Sequence, residues 1–237
     1  MARGFLISGT DTGVGKTTVA SAIAAALRRR GRRVGVIKPV ETGCEEAADG
    51  SLVPGDALQL RWAAGRDDPL DLICPYRLRD PLAPAVAARR AGLHIDLASL
   101  VDSVRALSAR CDIALVEGAG GLLVPLAGPA TVADLAKACG LRLVLVVGNR
   151  LGAINHARLT LDWARAAGLD VVGYVINALA PHADLAARTN VEVLHDLLGP
   201  ALGVFPFLGT LERTEAERER IAAAAERSLD LESLLRA

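Results

Sequence analysis

The sequence carries no excess of charge. Its 27 lysines and arginines are matched by 27 aspartates and glutamates, so no global field draws the chain to nucleic acid or to an anionic membrane. Cysteine is sparse: Cys44, Cys74, Cys111 and Cys139 are the four. They form no Cys-x-x-Cys pair, which argues against a disulfide scaffold and reads as buried, reduced thiols in a cytosolic protein. Long apolar runs are missing too, since a stretch such as Leu143 to Val147 falls far below the ~20 residues of a membrane span. The N-terminal segment, charged at Arg3, passes directly into a strand-like run and lacks the form of a signal peptide. The four histidines, His94, His156, His182 and His195, are isolated from one another. His156 sits inside the first turn of an expected helix with nothing to pair it to a nucleophile. Metal clusters of His and Cys and Ser-His-Asp arrangements are thereby excluded, and the expectation is a cytoplasmic protein.

What is present is concentrated near the N-terminus. The run Phe5-Leu6-Ile7-Ser8 leads into Gly9-Thr10-Asp11-Thr12-Gly13-Val14-Gly15-Lys16-Thr17, and Thr18 to Leu27 follows with helical composition. Strand, glycine-rich turn and helix in that order make a phosphate cradle. Successive backbone N–H groups point inward, and the helix adds its unpaired N–H groups and the positive end of its dipole. Lys16 would reach the terminal phosphates, and the Thr17 hydroxyl would ligate magnesium. The usual spacing sets four residues between the first glycine and Gly-Lys-Thr; here five, Thr10 to Val14, follow Gly9. ATP or GTP binding is the expectation.

At 237 residues the chain fits one large α/β unit, and residues 1–237 read as a single domain with no repeat or low-complexity linker. β-Branched apolar runs at Val34–Lys38, Ile113–Glu117, Leu143–Val147 and Val171–Ile176 read as strands buried on both faces. Between them lie helical stretches at 16–30, 97–109, 132–139, 154–167 and 185–198. Gly31, Gly140, Gly168 and Gly199 stand where helix C-terminal glycines belong. The alternation predicts a doubly wound, mainly parallel sheet flanked by helices on both faces, with ligands beyond the carboxyl ends of the strands. Residues 42–54 and 78–85 read as surface loops. The charged, Ala-rich stretch 212–227 reads as a helix with a solvated face.

Several strand ends carry polar groups that a structural strand end does not need. Lys38-Pro39-Val40-Glu41-Thr42-Gly43 follows the second strand and would set Lys38 beside Lys16, two ammonium groups that require an anion between them. Glu117 closes an apolar strand and precedes Gly118-Ala119-Gly120-Gly121, placing negative charge near magnesium while the glycines let backbone approach the ligand. Asp56 opens a helix over 57–64, either as a first-turn acid or as a magnesium ligand. Asn177 closes another strand, suited to an adenine edge or to the turn before Pro181. The N–H groups of Leu151-Gly152-Ala153-Ile154-Asn155-His156 could hold a carboxylate, although capping alone would account for Asn155.

Taken in order, these motifs together with Pro125-Leu126 and Pro206-Phe207-Leu208 closely resemble the dethiobiotin synthetase family over nearly the whole chain. The extended phosphate-loop spacing is part of that family's pattern. The resemblance implies a P-loop nucleotide-hydrolase-like fold and a reaction in which 7,8-diaminononanoate, CO2 (or bicarbonate) and ATP give dethiobiotin, ADP and phosphate, with Mg2+ as cofactor. It implies Lys16 and Lys38 as catalytic charge stabilisers and Thr17, Asp56 and Glu117 as magnesium ligands. Gly13, Val14, Gly15, Lys16, Thr17, Thr18, Glu117, Gly118, Ala119, Gly120, Asn177, Pro206, Phe207 and Leu208 would contact the nucleotide. Thr12, Lys38 and Thr42 would meet the diamine and carbamate, while Gly152, Ala153, Ile154 and Asn155 would receive the substrate carboxylate across a homodimer interface. Gly13 stands where some members carry an acid, Ala153 where some carry a larger residue, and Phe207 where some carry a larger aromatic. Two other classes share the nucleotide-binding half. Cobyrinic-acid-type amide ligases add a glutaminase domain for which this sequence has no room. Partitioning and cell-division switch ATPases carry a lysine five positions before the Gly-Lys-Thr lysine, where this chain has Asp11.

Overall fold

The computed structural model describes residues 3–236. Twelve strands run in chain order: β1 (Arg3–Gly9), β2 (Val34–Ile37), β3 (Val40–Thr42), β4 (Glu45–Glu46), β5 (Leu52–Val53), β6 (Tyr76–Leu78), β7 (Ile113–Glu117), β8 (Pro125–Ala127), β9 (Ala130–Thr131), β10 (Arg142–Asn149), β11 (Val171–Ala178) and β12 (Gly203–Phe205). Between and after them come the helices α1 (Lys16–Arg29), α2 (Gly55–Ala64), α3 (Leu70–Ile73), α4 (Pro84–Arg90), α5 (Leu97–Ser108), α6 (Val132–Cys139), α7 (Ala153–Ala166), α8 (Leu185–Leu198), α9 (Glu215–Ser228) and α10 (Leu231–Arg236).

Six strands form one all-parallel sheet in the order β12-β11-β10-β1-β7-β2. The expected doubly wound architecture is therefore the observed one. Successive residues of β1 alternate between layers: Phe5 and Ile7 join the cluster with α1, α2 and α9, whereas Leu6 joins the one with α5 and α6. This is the period-two pattern of a strand covered on both faces. A third cluster packs α7 and α8 on β10 and β11, through Leu145, Leu161, Ile176 and Leu194.

Two expectations are corrected, and one strand went unread. Residues 42–54 and 78–85 are not plain loops. They hold the β4–β5 ribbon and the start of α4, and β3 pairs with β6 in a small parallel sheet of their own. The sixth strand of the main sheet, β12, is three residues long, too short to show a pattern. Finally, α9 is not a solvated helix. Ile221, Ala222, Ala224 and Ala225 are buried against the α1 side of the core, and Gly203 approaches the end of α9 so closely that a Cβ would lie 1.9 Å from the Ser228 carbonyl oxygen. Arg29 pairs with Glu219 and Glu226 along the same seam.

Replacing Ile221 by Ala is expected to cost roughly 2–4 kcal/mol, the usual penalty of a core truncation. Urea unfolding checks this; a change within the ~0.5 kcal/mol typical of surface substitutions would restore the solvated-face reading.

Candidate active site

The carboxyl edges of β1, β2 and β7 converge on one cleft of about 760 Å³. Thr12, Gly13, Gly15, Lys16, Thr17, Thr18, Lys38, Glu41, Thr42, Asp56, Glu117, Ala119 and Gly120 line it. Because β7 lies between β1 and β2, the phosphate loop after β1, Lys38 after β2 and Glu117 at the end of β7 are brought to the same place.

The phosphate loop is held in shape without a ligand. Gly15 has φ +86, and a Cβ there would lie 2.1 Å from the Asn177 side-chain nitrogen, so this position admits only glycine. Asn177 itself is buried and donates through Nδ2 to the Val14 carbonyl at 2.9 Å. The Lys16 ammonium donates to the Asp11 carbonyl oxygen at 2.9 Å, curling over its own loop. Burial, and then the neighbouring Lys38 charge, hold the Lys16 ammonium below its ordinary pKa.

Lys38 is arranged differently from the expectation of two lysines facing across an anion. Its Nζ lies 2.5 Å from Glu117 Oε1 and 2.8 Å from Asp56 Oδ2. Burial alone would lower the ammonium, but the two carboxylates outweigh it and raise its pKa. Lys38 is therefore a fixed cation. Burial pushes the Glu117 carboxyl up against the opposing pull of Lys38. At Asp56 burial also works toward the neutral acid, and Lys38 overcomes it, so that carboxyl sits below the usual range. Thr17 Oγ1 donates to Glu117 Oε1 at 2.8 Å, while Glu117 Oε2 is buried with no hydrogen-bond partner.

These groups suit a hard divalent cation. Among the described residues no three His, Cys, Asp or Glu side chains form a ready metal cage. Magnesium is commonly bound by one or two carboxylates plus substrate phosphates, and the two carboxylates and one hydroxyl here match that requirement. The orphaned Glu117 oxygen is an acceptor that a cation or a donor would satisfy.

The remaining expected residues are placed less centrally. Val14 is buried, and Gly118 packs so closely that a Cβ would meet Val132 at 2.8 Å, so neither presents a side chain to the cleft. Asn177 pairs in register with Phe205 of β12, which sets Pro206, Phe207 and Leu208 immediately beyond it; Phe207 is exposed. Gly152 to Asn155 form the start of α7 and do not line the cleft of their own chain.

Two contributors went unassigned in the sequence. Glu41 is buried, and its carboxylate accepts from the backbone N–H groups of Asp56 and Ala57, each at 2.9 Å. It caps α2 from a different element and so fixes the turn that carries Asp56; burial pushes its carboxyl up, against those two hydrogen bonds. Its place in the Lys38–Gly43 motif was the only local signal. Arg150 ion-pairs with Asp11 at 2.6 Å, and Asn190 holds the Arg150 carbonyl and Asn149 side chain, each at 3.0 Å. This chain of contacts ties the phosphate loop to the segment leading into α7.

A family model described as an AAA domain matches residues 3–215. The ATP-dependent dethiobiotin synthetase BioD of Thermodesulfovibrio yellowstonii is similar to this chain at 41% identity, covering 99% of each. The protein of that name from Anaeromyxobacter sp. (strain Fw109-5) is 47% identical, covering 93% of this chain and 97% of its own. Among solved structures, the septum site-determining protein MinD complexed with Mg-ADP from Pyrococcus horikoshii has a TM-score of 0.55 at 18% identity. It covers 100% of this chain and 90% of that one, a likeness of fold.

Glu41→Ala removes the acceptor for two N–H groups at the head of α2. Stability is expected to fall by about 1–2 kcal/mol, as for a lost helix cap, and magnesium-dependent nucleotide affinity to fall with it. Urea unfolding and titration calorimetry read the two effects; a variant unchanged in both would show that Glu41 positions nothing.

Proposed function

The chain belongs to the ATP-dependent dethiobiotin synthetase family, and from that premise we propose that it closes the ureido ring of dethiobiotin from 7,8-diaminononanoate, CO2 and ATP, releasing ADP and phosphate. The observation that carries this reading is the convergence of Lys16, Lys38, Thr17, Asp56 and Glu117 on one cleft. Phosphoryl transfer is catalysed mainly by positioning and charge stabilisation, and this cleft offers both without a protein nucleophile.

In the proposed sequence one substrate amine attacks CO2 and loses a proton to give a carbamate. A carbamate oxygen takes the γ-phosphoryl group of ATP, and ADP leaves. The second amine then attacks the carbamoyl carbon, expels phosphate and closes the ring. Lys16 would leave the Asp11 carbonyl to meet the terminal phosphates. Lys38, already cationic, would face the carbamate and the transferring group. Backbone from Gly13 to Thr18 would cradle the phosphates, and Gly118, Ala119 and Gly120 would let the chain approach them. Thr17, Asp56 and Glu117 would hold Mg2+, which when bound neutralises charge on the phosphate oxygens. Asn177 keeps its Oδ1 available beside the Val14 contact, and with Pro206, Phe207 and Leu208 it would receive adenine.

The alkyl chain of the diamine would lie beside the main cleft. A second cleft of about 630 Å³, lined by Thr12, Leu122, Leu123, Val124, Leu159 and Trp163 among others, shares Thr12 and Val124 with the first. Leu123 and Leu159 on its lining are exposed, an apolar rim of the kind that marks an interaction surface. We assign that rim to a homodimer in which Gly152, Ala153, Ile154 and Asn155 of the partner close the substrate site. Thr42, on the lining of the main cleft, would meet the diamine end. No helix among the described residues is long and apolar enough to cross a membrane. The four free cysteines support a reducing, cytoplasmic location.

ADP release should require the diamine and bicarbonate together, and Lys16→Ala or Lys38→Ala should each lower it about 10²–10³-fold, as for other electrostatic stabilisers. A coupled ADP assay decides: turnover indifferent to the diamine sinks the proposal, and near-normal Lys38→Ala turnover misplaces the site. Leu159→Asp should shift the protein toward monomer in sedimentation and raise the diamine KM. An unaltered dimer with unaltered KM would remove this face from the interface.

A further inference from the structure

Far from the nucleotide cleft, the opposite ends of α1 and α2 meet the start of α9 around a cavity of about 500 Å³. Five arginines line it, Arg28, Arg61, Arg66, Arg213 and Arg218, with Asp67 the one acid on the wall. Arg28 stands twelve residues beyond Lys16 on α1, roughly 18 Å at ~1.5 Å per residue. On α2, Leu58, Arg61, Trp62 and Gly65 recur at helical spacing, so one stripe of that helix forms a wall.

The charges are only partly spent within the chain. Glu215 bridges Arg28, at 4.0 Å, and Arg218. Buried Asp68 takes Arg66 at 2.5 Å and reaches Arg110, outside the cavity, at 3.7 Å. Among the described residues Arg61 meets only the Asp68 carbonyl oxygen, at 3.4 Å, and Arg213 has no ion pair. Counting Asp67, Glu215 and Asp68 against the five guanidinium groups leaves a surplus of two positive charges.

The placement has a structural explanation for some of these arginines and not for others. Arg28 and Arg61 lie in the last turns of α1 and α2, where a cation complements the helix dipole. Arg213 and Arg218 flank the N-terminus of α9, capped at Thr214, the end where a helix favours anions. At Arg213 no ion pair among the described residues offsets this, whereas Arg218 pairs with Glu215 of its own helix. Arg218 also stacks on Trp62, 5.5 Å from the ring centroid, and donates to the Trp62 carbonyl at 2.9 Å. Its guanidinium is thus held in one orientation beside the cavity. Trp62 Nε1 is itself buried without a partner.

We propose that this arginine pocket binds a small multivalent phosphate-bearing anion at a site separate from the nucleotide cleft. Planar guanidinium groups converging from three elements match phosphate oxygens in geometry and charge. The volume admits an inorganic diphosphate or a phosphorylated small molecule, and both present the same oxyanion to the arginines. The site does not depend on the reaction assigned to the nucleotide cleft.

The chain has two tryptophans, so Trp163→Phe leaves Trp62 as the one indole reporter. Full-length protein of that background is titrated with inorganic pyrophosphate in one arm and glucose 6-phosphate in the other, following Trp62 emission. Saturable response to pyrophosphate alone assigns the site to free phosphate, and response to both assigns it to a phosphoryl group on an organic body. Arg61→Ala with Arg213→Ala should weaken the response roughly tenfold or more, with the variant still unfolding in one cooperative transition. Arg213→Ala alone, in an exposed segment outside any helix, weakens it in the same direction and covers the case in which the double variant fails to fold. Lys16→Ala should leave the response intact. No response in either arm, or a response abolished by Lys16→Ala and kept without Arg61 and Arg213, overturns the proposal.

Discussion

The carboxyl edge of this sheet depends on one buried ammonium. Lys38 and Glu117 are almost fully withdrawn from water; the ammonium is held there by Glu117 and Asp56, and the Glu117 charge by Lys38 against the like charge of Asp56. Taking charges out of water is expensive, and breaking a buried pair typically costs about 3–5 kcal/mol because the remaining charge is stranded. The strands that deliver these groups are thus constrained by electrostatics as well as packing. β2 must end just before Lys38, β7 at Glu117, and α2 must begin where Asp56 can reach Lys38. Glu41 secures the last of these by holding two backbone N–H groups at the head of α2.

The same triad sets up the proposed chemistry. The carboxylates that hold Lys38 in place are those proposed for magnesium, so the ammonium and the metal would share ligands. With nucleotide and metal in the cleft, Lys38 would give up part of its carboxylate contact and turn its charge to the phosphoryl and carbamate oxygens. Lys16 is poised in a parallel way, resting on a carbonyl of its own loop until phosphates replace it. Both lysines are satisfied by the protein before substrate arrives and can be redirected at little cost in new desolvation. The ion pair of Asp11 with Arg150 adds a link from the phosphate loop to the segment before α7, the element proposed to reach the partner's substrate.

Much of this was legible in the sequence, and the limits have physical causes. The five longer strands of the sheet announce themselves as apolar runs, four of them β-branched, because a parallel strand covered on both faces has no polar side to hide it. The phosphate loop was equally plain, since Gly15 is the only residue type its backbone and the Asn177 amide leave room for. β12 escaped notice because three residues show no period. The burial of α9 escaped because its contact is made of alanines, which pack closely on the small residues of α1 yet give little hydrophobic contrast against the charges around them. Glu41 and Arg150 act through contacts to residues 15 and 139 positions away, and no local pattern encodes a partner at that distance. Lys38 was placed correctly at the cleft, but its partners were misjudged: the counter-charge is built into the chain, as Glu117 and Asp56.

The central claim is that Lys38 is a permanent, carboxylate-held cation in the unliganded protein. Side-chain 15N NMR of Lys38, followed to the alkaline limit of the fold, addresses it directly. The ammonium signal should persist past the ordinary lysine pKa of 10.5 and fall back when Glu117 is replaced by Gln. A Lys38 that loses its proton at or below 10.5 in the native protein would contradict the account.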